Sequence, residues 1–222
     1  GGGEACTVAV RIARGVTNRD KVLFCGYHGW HDWYLAANLG GERLDDHLFN
    51  GIEPIGVPSA LEGTAIPFPY GDLDSLGELL GEHKGEVGCI IMEPMRTELP
   101  PKGYLEGVRD LATKHGVVLI FDEVSCGFRI SLGGVQEVTG VTPDISVFAK
   151  AISNGYPMAA VVGKREVMEP AARMFISSAY WDDPIGIVAA LTTLRELERR
   201  DAVAHFEAIG ALFRERINQT AE

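Results

Sequence analysis

The sequence predicts an α/β fold built on a mostly parallel sheet flanked by helices, and three observations carry that prediction. Short apolar runs at 21–25, 87–92, 117–124, 145–149 and 158–162 have the length of strands. Segments of helical periodicity at 72–82 and 103–115 separate the central runs, which is the alternation expected of crossover units in a parallel sheet. The chain has 222 residues, 46% of them hydrophobic, and mean hydropathy +0.06, enough apolar material for one substantial core.

Taken in order, Ala5, Val8, Ala9 and Ile12 follow the i, i+3, i+4, i+7 spacing of an amphipathic helix over 4–14, entered directly from Gly1-Gly2-Gly3. The run at 21–25 leads into Gly26-Tyr27-His28-Gly29-Trp30-His31-Asp32-Trp33, a loop rich in rings. Residues 40–69 hold many Gly and Pro with little periodicity and are expected to make one long surface excursion. The C-terminal part is expected to be helical over 184–200 and again over 201–216, with Ile187, Ala190, Leu191, Leu194 and Leu197 on one stripe. No internal repeat is present.

A net charge of -11 and a pI near 5.0 disfavour a nucleic-acid partner. Cys6, Cys25, Cys89 and Cys126 are scattered, without C-x-x-C or zinc spacing. Neither a disulfide framework nor a metal is expected, and a cytoplasmic location follows. His31 and Asp32 lack a third ligand at suitable spacing. No apolar run approaches the roughly 18 residues of a membrane span. The first residue is Gly1, which reads as the start of a fragment.

Asp122 closes the apolar run Val117-Val118-Leu119-Ile120-Phe121, and Lys150 follows Ile145-Ser146-Val147-Phe148-Ala149. Strand ends of open α/β sheets face the crevice where ligands bind, and a partly desolvated lysine is a nucleophile toward carbonyls. Pyridoxal phosphate would use both residues, a lysine for its aldehyde and an anion for its ring nitrogen. The plainer reading is that Asp122 caps a turn and Lys150 is solvated. The triple glycine likewise reads either as a phosphate-facing helix start or as an ordinary turn.

Read together, Gly2-Gly3-Glu4-Ala5, Tyr27-His28-Gly29, Glu93-Pro94, Phe121-Asp122-Glu123-Val124, Gly127-Phe128-Arg129, Thr142-Pro143-Asp144 and Lys150 resemble the motif series of the class III pyridoxal-phosphate-dependent aminotransferases, most of all the glutamate-1-semialdehyde 2,1-aminomutase-like members. The resemblance implies the large domain of a fold-type I transferase, with a mostly parallel seven-stranded sheet. It places a large domain at 1–200, incomplete on its N-terminal side, and the truncated helical start of a small domain at 201–222.

By position, Lys150 matches the lysine that forms a Schiff base with pyridoxal 5′-phosphate, and Asp122 the partner of the pyridinium nitrogen. Gly2 and Gly3 match the backbone at the phosphate, Tyr27 the aromatic stacked on the ring, and Val124 the apolar residue on its other face. His28 would bond either to a cofactor oxygen or to the backbone. Glu93, Glu123 and Arg129 are assigned structural roles. Trp30, Trp33 and Tyr34 would either line a substrate pocket or pack in a core or interface, the second being the commoner use.

The resemblance further implies a homodimer in which a threonine of the partner subunit bonds the phosphate. The matching position here is Ala179, so Ser178 is the hydroxyl left to do it, and loss of such a bond costs about 1.5–3 kcal/mol. The expected activity is amino-group transfer on a small amine or amino-acid substrate, by an aminotransferase or an aminomutase. The alternative is a non-catalytic or truncated scaffold with the same fold. A phosphate-binding NTPase is disfavoured because no Lys-Ser/Thr follows the glycines.

Overall fold

A computed structural model describes residues 1–41, 43–45 and 50–221. Residues 42 and 46–49 of the expected 40–69 excursion, and residue 222, lie outside the described residues.

The chain runs through α1 (Gly2–Thr17), β1 (Lys21–Cys25), the short α2 (Asp32–Leu35), β2 (Ala65–Pro67), α3 (Leu73–Glu82), β3 (Val87–Met92), α4 (Tyr104–His115), β4 (Val118–Asp122), α5 (Val135–Thr139), β5 (Ile145–Phe148), β6 (Ala160–Gly163), α6 (Arg165–Met168), α7 (Pro184–Arg199) and α8 (Ala202–Ala221). The strands form one sheet in the order β2-β1-β3-β4-β5-β6. All neighbours are parallel except β5 and β6, which are antiparallel.

The sheet therefore has six strands among the described residues, where the family resemblance implies seven. Its two edges among the described residues are β2 and β6. β2 is three residues long and ends in Pro67, which has no N–H for an outer neighbour, and β6 lies on the rim with Val162 and Gly163 exposed. β2 was not foreseen in the Gly- and Pro-rich stretch. The long excursion before it is pinned by Asn38, whose side chain donates to Ile52 O (2.8 Å) and accepts from Leu44 N–H (2.8 Å).

Alternation along the strands divides the core into two layers. Val22, Phe24, Cys89, Ile91, Val118, Ile120, Ile145 and Val147 face α1, which answers with Ala5, Cys6, Ala9, Val10, Ile12 and Ala13. Leu23, Cys25, Ile90, Met92, Leu119 and Phe121 face the other way, onto Leu76 and Leu80 of α3 and Leu105, Val108 and Ala112 of α4. Three alanines on the buried stripe of α1 bring its backbone close to the sheet, and so bring its first turn to the strand ends.

Polar side chains set where helices begin. Asp72 accepts from Ser75 N–H (2.9 Å) ahead of α3, and Asp183 accepts from Ile185 N–H (3.0 Å) ahead of α7, where Pro184 holds the first position. At the N-terminal side of the sheet, Asp144 immediately precedes β5 and is gripped from three directions. Its Oδ2 accepts from Arg109 (2.9 Å) and from Leu119 N–H (2.8 Å), and its Oδ1 from Lys164 Nζ (2.8 Å). Burial pushes this carboxyl up, but those three donors together hold it below the usual carboxylate range. No helix among the described residues is long and apolar enough to cross a membrane.

Candidate active site

The site lies where β4 and β5 end. Their pairing sets Asp122 opposite Val147, so the two chains leave the sheet side by side on its C-terminal edge. Glu123 N–H donates to Val147 O (2.9 Å), tying the exit of β4 to its neighbour. Val124 N–H turns back onto Asp122 Oδ1 (3.0 Å).

Asp122 Oδ2 meets donors from two further elements. His28, in the loop after β1, approaches through Nδ1 at 2.8 Å, and Cys6 of α1 donates its thiol at 3.3 Å. The other nitrogen of His28 faces Cys25 O at 3.2 Å. Asp122 and His28 are 3% and 1% exposed, so the carboxylate is held by hydrogen bonds in place of water. Atoms of Cys6, His28 and Asp122 that could ligate a metal lie within 4.8 Å of one another. Burial, and then the Asp122 charge, pushes the Cys6 thiol well up, which opposes the thiolate a metal would need. The arrangement is a hydrogen-bonded support for one carboxylate.

Lys150 follows β5 after Ala149 and adopts a left-handed backbone, φ 49°, a conformation uncommon outside glycine. Its side chain is exposed to the cavity, and Nζ donates to Ser125 Oγ at 2.8 Å.

The first turn of α1 forms the opposite wall. A Cβ on Gly2 would lie 2.9 Å from Val124 Cγ1, and a Cβ on Gly29 (φ 101°) would lie 2.6 Å from Gly3 Cα. Only glycine lets the helix start and the Tyr27-His28-Gly29 turn approach so closely. The free N–H groups of that turn and the positive end of a 16-residue helix face the cavity, a suitable place for an anion.

These walls enclose a cavity of about 400 Å³. Gly2, Gly3, Tyr27, His28, Asp122, Val124 and Lys150, all picked out from the sequence, line it together. Ser178 does not; its hydroxyl accepts from Tyr180 N–H at 3.4 Å, away from the cavity. The aromatic group divides. Trp33 and Tyr34 are buried, donating to Thr7 Oγ1 (3.0 Å) and Gly26 O (2.8 Å), whereas Trp30 stands 71% exposed at the cavity.

Glu93 accepts from Tyr27 N–H (3.1 Å), Glu123 accepts from Val135 N–H (2.8 Å) and from the Cys126 thiol (3.2 Å), and Arg129 donates to Ser125 O; all three hold local backbone. Ser125, Cys6, Tyr156 and Met158 also line the cavity and were not singled out as cavity residues from the sequence. Ser125 follows a motif already noted, but only the β4–β5 register shows how it meets Lys150.

The Aminotransferase class-III family matches residues 1–222. The chain belongs to the class III aminotransferase family. Among its relatives, 3-aminobutyryl-CoA aminotransferase of Cloacimonas acidaminovorans is 40% identical over 228 residues, covering 100% of this chain and 51% of the relative. Glutamate-1-semialdehyde 2,1-aminomutase of Geotalea daltonii is 41% identical over 206 residues, covering 89% and 47%. A solved structure of a transaminase with PLP bound is 27% identical, with TM-score 0.77, over 89% of this chain and 48% of that one. The class III chain described here spans about half the length of the curated relatives it matches.

Proposed function

We propose that this chain holds the cofactor in an enzyme that transfers amino groups with pyridoxal 5′-phosphate. When bound, that group supplies an aldehyde that condenses with amines and a pyridine ring that draws electrons from the substrate's reacting carbon. The observation that carries the reading is that Lys150 and Asp122 leave adjacent strands and line one cavity.

The residues fit the group. Asp122, buried and fixed by Val124 N–H and His28, offers an anion to a ring nitrogen. Gly2 and Gly3 leave room for a phosphate at the N–H groups of α1. Val124 and Tyr27 offer an apolar and an aromatic surface to the ring. Lys150 supplies the primary amine and, when free, serves as the base that moves a proton at the substrate carbon. The relatives include an aminotransferase and aminomutases. Donor and acceptor are separate molecules in the first kind of reaction and two carbons of one molecule in the second, and these residues serve the proton transfer common to both. The substrate is a small amine or amino acid.

The same reading includes a homodimer in the cytoplasm and a division in which 1–200 forms a large domain and α8 begins a small one. Phe175, Tyr180 and Trp181, exposed around Ser178, support a partner-facing surface there, from which Ser178 would serve a partner's phosphate site.

Borohydride reduction with pyridoxal phosphate, followed by peptide mapping, tests the central assignment. A phosphopyridoxyl group is expected on Lys150 and absent from Lys150→Ala. A folded protein with no selective adduct would favour the non-catalytic scaffold.

A further inference from the structure

We infer that Ser125 is a positioning residue for Lys150: its hydroxyl holds the lysine amine on the cavity wall, ready for the carbonyl it attacks. The inference rests on the reading of Lys150 given above.

Nζ donates to Ser125 Oγ at 2.8 Å, the one hydrogen bond found for either side chain among the described residues. A lysine on an exposed wall has several rotatable bonds to freeze, and an unpartnered amine would spend most of its time elsewhere. A single acceptor on a fixed support removes that search before the reactant arrives.

The support is fixed. Ser125 and Lys150 each stand three residues past the same paired rung, Asp122 opposite Val147. Ser125 sits in a turn closed by Gly127 N–H to Glu123 O (2.8 Å), with Arg129 N–H bonded to Cys126 O (3.1 Å) and Arg129 also donating to Ser125 O. A Cβ on Gly127 would lie 2.7 Å from both Glu123 O and Phe148, so the turn is packed against β5 itself. Turn and lysine therefore share one frame. A hydroxyl suits the place because it accepts from an ammonium and donates to a neutral amine without a change of partner.

In the condensation that reports on this arrangement, a bond forms between Nζ and the aldehyde carbon. The carbon–oxygen double bond breaks, and the oxygen leaves as water carrying both protons of the neutral amine. Ser125 is neither consumed nor changed.

The test uses the full chain with pyridoxal phosphate, following imine absorbance in time, with borohydride trapping and peptide mapping to confine the signal to Lys150. Ser125→Ala is expected to slow adduct formation at Lys150 about tenfold, and Ser125→Thr, which keeps the hydroxyl, to restore most of the rate. Pyridoxal phosphate affinity is then measured in a Lys150→Ala background with and without Ser125→Ala. Affinity is expected to be the same, because Ser125 acts through the lysine.

A Ser125→Ala rate within about twofold of the parent, or a loss of affinity on adding Ser125→Ala to the Lys150→Ala background, would overturn the inference while leaving Lys150 as the reactive residue. A parent chain with no Lys150 adduct would overturn the assignment of Lys150 and the inference with it.

Discussion

His28 Nδ1 and Asp122 Oδ2 stand 2.8 Å apart with both side chains withdrawn from solvent. Neither residue is adjacent to the other in the chain; Asp122 is the partner of His28 Nδ1, and Asp122 Oδ2 also accepts from the Cys6 thiol. Removing the imidazole leaves the buried carboxylate with the Cys6 thiol and Val124 N–H as its remaining donors. His28→Ala is therefore expected to lower stability by about 1–3 kcal/mol and to weaken pyridoxal phosphate binding, because Asp122 loses its closest support. Urea denaturation and a cofactor titration check the two effects separately.

Gly29→Ala places a methyl against the start of α1. The position combines φ 101° with a Cβ site 2.6 Å from Gly3 Cα, so strain and collision act together. Destabilisation of about 1–3 kcal/mol is expected from the backbone, with a loss of cofactor affinity as the helix start is pushed away. Gly63→Ala is the comparison, since φ 74° there carries strain with nothing within 4 Å of the added carbon. Equal cofactor affinity in the two variants would remove the close approach as the cause.

Glu123 gives a pH dependence. Burial pushes its carboxyl above the ordinary 4.5, against the opposing pull of the Cys126 thiol and the Val135 and Gln136 N–H groups. A carboxyl raised on folding contributes stability that is full below its unfolded value and lost as pH rises through the folded one. Relative to Glu123→Gln, the parent is expected to lose stability as pH rises above about 4.5, a trend that urea midpoints from about pH 4 to about pH 8 would reveal.

How much of this was legible in the sequence depended on range. Lys21–Cys25 and Val87–Met92 were foreseen at their observed bounds, because buried parallel strands are continuous apolar runs with polar flanks. Asp122 and Lys150 stood out for the same reason, as charges at the ends of such runs. β2 escaped because three residues ending in proline show no alternation, and it exists through its pairing with Val22, Leu23 and Phe24. The Lys150–Ser125 contact spans 25 positions and follows from strand register, which no local pattern carries. Trp33 and Tyr34 entered the core because the short α2 turns them inward, while Trp30, just before it, stays out.

β5 links two separate polar sites at its opposite ends. Its head, Asp144, is clamped by Arg109, Lys164 and the backbone of Leu119, and Lys150 follows its other end after Ala149. Five residues separate Asp144 from Lys150, the four of β5, roughly 13 Å of extended chain, and then Ala149. None of the clamping side chains lines the cavity. The anchorage and the cavity thus share one strand but no side chain.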